Sequence, residues 1–185
     1  LKSKYVGSAF CFDNSGRFKN FTCFGKADTK ELAGSIREAV ISFHEQKPEA
    51  KRIIIHFYKV MSKRELKPIL DTIYNGLDLP VPIIVVTINK TVSKELLAFD
   101  TADSINLMPY SGTYIKMAER QYLLFNNTRY NPASKVADKE YHFPVKIKLT
   151  STHLELLEDE SLVDLLIDQV YQFSRMYWKS VSQQN

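Results

Sequence analysis

The sequence has little of what marks several broad protein classes. It holds two cysteines, Cys11 and Cys23, in 185 residues. Both lie inside apolar strand-like runs, which argues against a disulfide scaffold and makes a reducing compartment, the cytoplasm, the expected location. Six glycines and seven prolines are too few for a collagen-like or linker-like chain. No apolar stretch approaches the roughly 20 residues that cross a bilayer, and no signal-peptide or lipidation motif appears, so no membrane partner is expected. A glycine-rich phosphate loop, a Gly-x-Ser-x-Gly elbow and a cysteine-based zinc pattern are also absent.

What remains is a globular composition, 44% hydrophobic and 25% charged, with length for one core and not for two ordinary domains. The net charge of +4 is unevenly spread. Residues 1–150 carry 23 basic and 15 acidic side chains, net +8, and residues 151–185 carry 2 and 6, net −4. A basic body with an acidic tail segment can present a polyanion-binding surface on the body; an ordinary mixed surface is the alternative. The chain opens at Leu1 close to a strand pattern, and its last helix runs toward Asn185 without a stop signal. Both ends are those expected of a piece of a longer polypeptide.

The pattern along the chain predicts an α/β fold. "KYVGSAFCF" and "RFKNFTCF" flank "DNSG" as a hairpin. From Asp28 or Thr29, a capping residue, Leu32, Ile36, Ala39, Val40 and Phe43 recur at helical spacing up to Pro48. "RIIIHFY" reads as a buried strand, and Ser62 with Glu65 as a capping box for a helix over 62–75, with Leu66, Ile69, Leu70 and Ile73 on one face. "LPVPIIVVTI" is a further buried strand. Residues 94–99 are expected to form a helical turn, "DTADSINLMPYSG" a loop, and "GTYIKMA" and "RQYLLFN" two strands around a turn at Ala118 and Glu119. A long polar connection precedes "VKIKLT", a strand that closes the sheet. The last helix is predicted over 161–182, with Leu162, Leu165, Leu166, Val170, Phe173 and Tyr177 in its apolar stripe. A hairpin, a helix, then strand–helix–strand is the order of a ribonuclease H-like mixed sheet flanked by helices.

A nuclease on such a sheet brings two divalent ions to about 4 Å of each other with strand-borne carboxylates. The first strand offers Ser8 and Ala9, with no acid before Asp13. The end of the next buried strand offers Phe57, Tyr58 and Lys59. Asp13 opens a "DNSG" turn, which is ordinary turn chemistry. His56, alone in an apolar strand, reads as a core histidine with one hydrogen bond, and His44, His142 and His153 lack metal-ligand spacing. Binding features are better represented. Lys47, Lys51, Arg52, Lys59, Lys63, Arg64 and Lys67 place seven positive charges within 21 residues, either a phosphate-facing cluster or a solvated face. "YSGTYIK" and "FNNTRYNP" combine Tyr, Thr, Asn and Arg, which suit sugar and phosphate contacts made without reading sequence. "RMYWKS" sets Arg175 and Lys179 on one helix face.

The runs "YVGSAFCFDNSGRF", "RIIIHFYKVMSKRELKPI", "PIIVVTINK", "LMPYSGTYI", "YLLFNNTRY" and "QVYQFSRMYWKSVSQQN" resemble, in order and over essentially the whole chain, the PIWI domain of prokaryotic Argonaute proteins. The resemblance implies that residues 1–185 are most of one PIWI domain, cut from a longer chain without its preceding MID region and its final C-terminal segment. It implies a guide strand, RNA or DNA, with a complementary target lying across the MID and PIWI regions. Active members cleave the target with three Asp/Glu residues, a fourth Asp or His, and metal ions. Carried over, the first-strand Asp falls at or beside Ala9 and the next near Tyr58, so both are absent. Only "GKAD" stands where the family's Glu-bearing insertion belongs, and the fourth position falls beyond Asn185. The pattern is similar to that of short, catalytically inactive Argonautes, which in prokaryotic immunity signal target binding to an associated effector protein. Arg129, Arg175 and Lys179 match neighbourhoods that face nucleic acid in that family, and Lys59, Lys63 and Arg64 join them as expected binding residues. No cofactor is expected on these residues themselves, with Mg²⁺ accompanying the guide in the full protein. Two other readings compete: a metal-dependent guide-directed endonuclease using Asp13, Glu31 or acids elsewhere, and a protein-interaction domain that has lost nucleic acid.

Overall fold

The computed structural model describes residues 5–12, 17–26, 28–58, 63–77, 79, 81–89, 98–102, 108–126 and 143–175. Its elements are β1 (Tyr5–Phe12), β2 (Phe18–Lys26), α1 (Thr29–Gln46), β3 (Ile53–Phe57), α2 (Lys63–Asn75), β4 (Ile83–Asn89), β5 (Tyr114–Ala118), β6 (Gln121–Leu124), β7 (Val145–Ser151), a short 3₁₀ helix (Leu154–Glu158) and α3 (Glu160–Arg175). Five strands form a mixed sheet in the order β3-β4-β7-β6-β5, and with the three α-helices they give the α/β, ribonuclease H-like class expected from the sequence.

The chain divides into two compact units, Leu1–Ile54 with Met61–Ile84, and Ile55–Val60 with Val85–Asn185. In the first, β1 and β2 pair antiparallel from Tyr5↔Lys26 to Phe12↔Phe18. They form a two-stranded sheet of their own rather than opening the larger one. α1 contacts this hairpin and α2. Asp28 starts α1 as an N-cap: its Oδ1 accepts the N–H groups of Lys30 and Glu31 at 2.9 and 3.0 Å, satisfying two of the donors a helix start leaves open. Leu32, Ala33 and Val40 are its buried positions. In α2 Ile69 and Ile73 are buried and Leu70 is half-buried. Ser62 and the side chains of Leu66 and Glu65 lie outside the described residues, as do residues 94–97 of the expected helical turn.

In the second unit, β6 pairs antiparallel with both β5 and β7. The turn of the β5–β6 hairpin falls at Glu119 and Arg120, one residue later than the sequence pattern predicts. Arg120 adopts φ 57°, a left-handed conformation that side-chain type did not advertise. β7 was expected to close the sheet, yet it is the middle strand. It alternates between buried Val145, Ile147, Leu149 and Ser151 and the more open Lys146, Lys148 and Thr150. Tyr122 pairs with Ile147 and lines one cleft with Val163 of α3, so α3 lies over the face that the buried β7 residues share, and the two lysines point to the other.

α3 buries Leu162, Val163, Leu166, Ile167 and Val170. Leu165, expected in the stripe, is 46% exposed. The true stripe is shifted toward Val163 and Ile167, the neighbours that complete i, i+3, i+4 spacing with Leu166 and Val170. Tyr177 lies outside the described residues. The 3₁₀ helix, which no sequence pattern signalled, buries Leu157 before Asp159 and Glu160 lead into α3.

Candidate nucleic-acid interface

α3 reaches both edge strands of the five-stranded sheet. Near its start Asp164 accepts a short hydrogen bond from the Tyr114 hydroxyl on β5, and further along Gln169 and Phe173 meet His56 on β3. The hydrogen bond to Asp164, helped by desolvation and by the negative charge of Asp164 and Glu160, pushes the Tyr114 phenol up to about 12. With Nε2 as the protonated nitrogen, His56 donates to the Gln169 amide oxygen at 3.4 Å, and Phe173 packs edge-on to the imidazole at 5.3 Å. Nδ1 is buried without a hydrogen-bond partner. Burial lowers the pKa of this histidine, and the Gln169 contact only partly opposes it. The site is that of a neutral core histidine.

Between these contacts lies a hydrogen-bonded chain. "YSGT" forms a turn closed by Thr113 N–H to Tyr110 C=O at 3.0 Å, with Gly112 third at φ +94°, the arrangement of a type II turn, which requires positive φ there. Gly112 N–H donates to Phe125 C=O at 2.7 Å, and Phe125 N–H to Thr113 C=O at 2.9 Å. The turn is therefore fixed against Phe125, the residue that follows β6. The Ser111 hydroxyl donates to Asn126 C=O at 3.2 Å. From α3, the Tyr171 hydroxyl donates to Ser111 Oγ at 3.4 Å, and Arg175 Nη1 donates to the Tyr171 oxygen at 3.0 Å. The Arg175 guanidinium carbon is 5.3 Å from the Tyr171 ring centroid. A Cβ at Gly112 would come 3.6 Å from that ring, so turn and ring are already in van der Waals range.

Of the binding residues expected from sequence, Arg175 is thus half-buried and held by Tyr171. Lys59, Arg129 and Lys179 lie outside the described residues, as do the side chains of Lys63 and Arg64, which open α2. In the basic run, Lys47 pairs with Glu49 at 3.4 Å and Lys67 with Asp71 at 2.6 Å, whereas Lys51 and Arg52 are exposed. Lys47 and Lys67 therefore belong to ordinary surface ion pairs rather than to a free cationic cluster. Ser111 lies in the "YSGTYIK" segment singled out from sequence, whereas sequence reasoning missed Tyr171 and the outward placing of the two β7 lysines. The alternation in "VKIKLT" was the available signal for Lys146 and Lys148; nothing local announced Tyr171.

Ala9 and Tyr58 are the positions onto which the resemblance carries the family's metal carboxylates. Ala9 lies in β1 opposite Thr22, and Tyr58 follows β3, 60% exposed. Neither β1 nor β3 contains an Asp or Glu. Asp13 is outside the described residues, and Glu31 stands in the first turn of α1. Among the described residues no group of three or more His, Cys, Asp or Glu side chains could hold a metal ion. Among the described residues, then, there is no set of converging oxygen ligands of the kind that a pair of divalent ions needs.

No protein-family model and no curated protein matches the chain. Among solved structures it is similar to Marinitoga piezophila Argonaute in complex with 5′ OH guide RNA, at TM-score 0.50 and 13% identity, over 90% of this chain and 26% of that one. It is also similar to Aa-Ago with externally bound siRNA, at TM-score 0.48 and 16% identity, over 91% of this chain and 23% of that one. The chain thus spans about a quarter of the length of the Argonautes it matches, and it has an Argonaute-like fold. Among the described residues no helix is long and apolar enough to cross a membrane.

Proposed function

We propose that this chain is most of the PIWI domain of a short, cleavage-incompetent prokaryotic Argonaute. In this reading it holds a guide strand, RNA or DNA, and the complementary target together with the MID region of the same polypeptide. It passes target binding to an associated effector protein in cytoplasmic defence, and any Mg²⁺ accompanies the guide. The observation that carries the reading is the fold likeness, over 90% of the chain, to an Argonaute whose structure contains a guide RNA. The absence of cleavage is inferred from the carboxylate-free β1 and β3. The proposed contacts are Lys59, Lys63, Arg64, Arg129, Arg175 and Lys179.

The test is to purify the full-length protein with its natural partners, then extract and sequence the nucleic acid that accompanies it. Short strands of narrow length, released by raising salt, are expected. A preparation free of nucleic acid, with no salt-sensitive affinity for added short RNA or DNA, would leave the protein-interaction domain as the better reading.

A further inference from the structure

Three segments singled out in the sequence for different reasons meet at one place. "YSGTYIK" supplies Ser111 and Gly112, "FNNTRYNP" supplies the Asn126 carbonyl, and the end of α3 supplies Arg175. The residue that joins them, Tyr171, had no assigned role. Its hydroxyl accepts from Arg175 Nη1 at 3.0 Å and donates to Ser111 Oγ at 3.4 Å, while Ser111 donates to the Asn126 carbonyl at 3.2 Å. Each hydroxyl in the chain both donates and accepts, and the Asn126 carbonyl ends it as acceptor, so the four groups are oriented in one direction and reinforce one another.

From this geometry we infer that the Arg175 guanidinium grips a sugar–phosphate backbone, with Tyr171, itself anchored on Ser111, as its positioning residue. The inference rests on the nucleic-acid reading above and adds to it the ligand group and a division of labour. An arginine on the last turn of a helix is a long, rotamer-rich side chain, and ordering it on binding carries an entropic cost. Tyr171 removes part of that cost beforehand by holding one guanidinium nitrogen from its hydroxyl and keeping its ring within cation–π range. The planar guanidinium favours phosphate oxygens over base edges read singly. Gly112, whose absent side chain leaves room for the Tyr171 ring 3.6 Å from where a Cβ would stand, lets that ring seat against the turn. None of these groups distinguishes one base from another, so the unit positions a strand without selecting its sequence.

The test uses the full-length protein with its partners, titrated by anisotropy with a labelled 5′-phosphorylated RNA strand and its DNA equivalent at several salt concentrations. Tyr171→Phe keeps the ring and removes the hydroxyl. It is expected to weaken binding about three- to tenfold, the worth of one hydrogen bond, and to flatten the salt dependence toward that of Arg175→Gln, by up to about 0.7–0.9 in slope. The double variant is expected to bind as Arg175→Gln does, because Tyr171 acts only through Arg175. Arg175→Lys, which keeps the charge without the planar fork, should fall between wild type and Arg175→Gln. A merely structural tyrosine would lower the melting temperature, leave the salt slope alone, and multiply its effect with that of Arg175→Gln. That pattern, or wild-type binding by Tyr171→Phe beside weakened Arg175→Gln, overturns the positioning role and leaves the nucleic-acid reading standing. Unchanged binding by Arg175→Gln removes this end of α3 from the surface and overturns the inference outright. A protein that binds neither strand overturns both.

Discussion

At His56 burial and an orphaned nitrogen combine to make a proton costly. Nδ1 is buried and without a partner, so protonation would place a charged N–H where no acceptor waits. The folded-state pKa is accordingly lowered from 6.5, with burial the main cause. A histidine depressed in the folded state is protonated first in the unfolded one, so stability is fully retained above pH 6.5 and is lost as pH falls through the lowered value. The expected outcome is an imidazole titrating below 6.5 by NMR, and a His56→Phe variant whose stability declines less than wild type on acidification. A titration at or above 6.5 would mean that water or an acid reaches the ring. A second contrast lies on α3. Leu166 is fully buried and Leu165 46% exposed, so Leu166→Ala should cost about 2–5 kcal/mol and Leu165→Ala less than about 0.5 kcal/mol in denaturant melts. Equal costs would place the stripe where the heptad-like sequence pattern, rather than the structure, has it.

At the scale of elements, two glycines have opposite roles in the first unit. Gly34 lies inside α1 with nothing within 4 Å of where a Cβ would stand. Gly34→Ala should therefore stabilise by about 0.5–1 kcal/mol by reducing the freedom of the unfolded chain. Gly76 ends α2, its N–H bonded to Thr72 C=O at 3.1 Å and its own carbonyl receiving Arg37 Nε at 3.2 Å. A Cβ there would come 2.8 Å from the Thr72 oxygen, so Gly76→Ala should cost about 1–3 kcal/mol through forced backbone movement. A stabilised Gly76→Ala would show that the α2 terminus relaxes freely. The same elements mark what sequence could convey. Asp28 was readable as a cap because capping is local, and β4 as a buried strand because its apolar run is continuous. The place of β7 in the middle of the sheet was not readable. Its alternation reports which face is open, whereas strand order depends on pairings between distant residues. The Glu119–Arg120 turn was offset because its left-handed residue is an arginine without the usual glycine. The Arg175–Tyr171–Ser111 chain was invisible for the first reason, since Tyr171 and Ser111 are 60 residues apart.

For the molecule as a whole, the proposed function turns on what the two strand positions cannot do. Two-ion phosphoryl transfer needs carboxylates that hold both metals and neutralise charge at the attacking and leaving oxygens. Ala9 has no ligand atom, and Tyr58 offers a phenol, which binds Mg²⁺ or Mn²⁺ poorly beside a carboxylate. The expectation is that full-length protein, loaded with a guide and given a complementary target and excess Mn²⁺, binds the target and yields no cleaved product over hours. Ala9→Asp alone should restore nothing, since one carboxylate cannot hold a metal pair without the others around it. Binding measured beside cleavage keeps the result informative, because a target that is bound and left whole separates loss of chemistry from loss of recognition. Multiple-turnover product in the wild type, abolished by Asp13→Ala, would sink the inactive reading and establish the endonuclease alternative with Asp13 as a metal ligand.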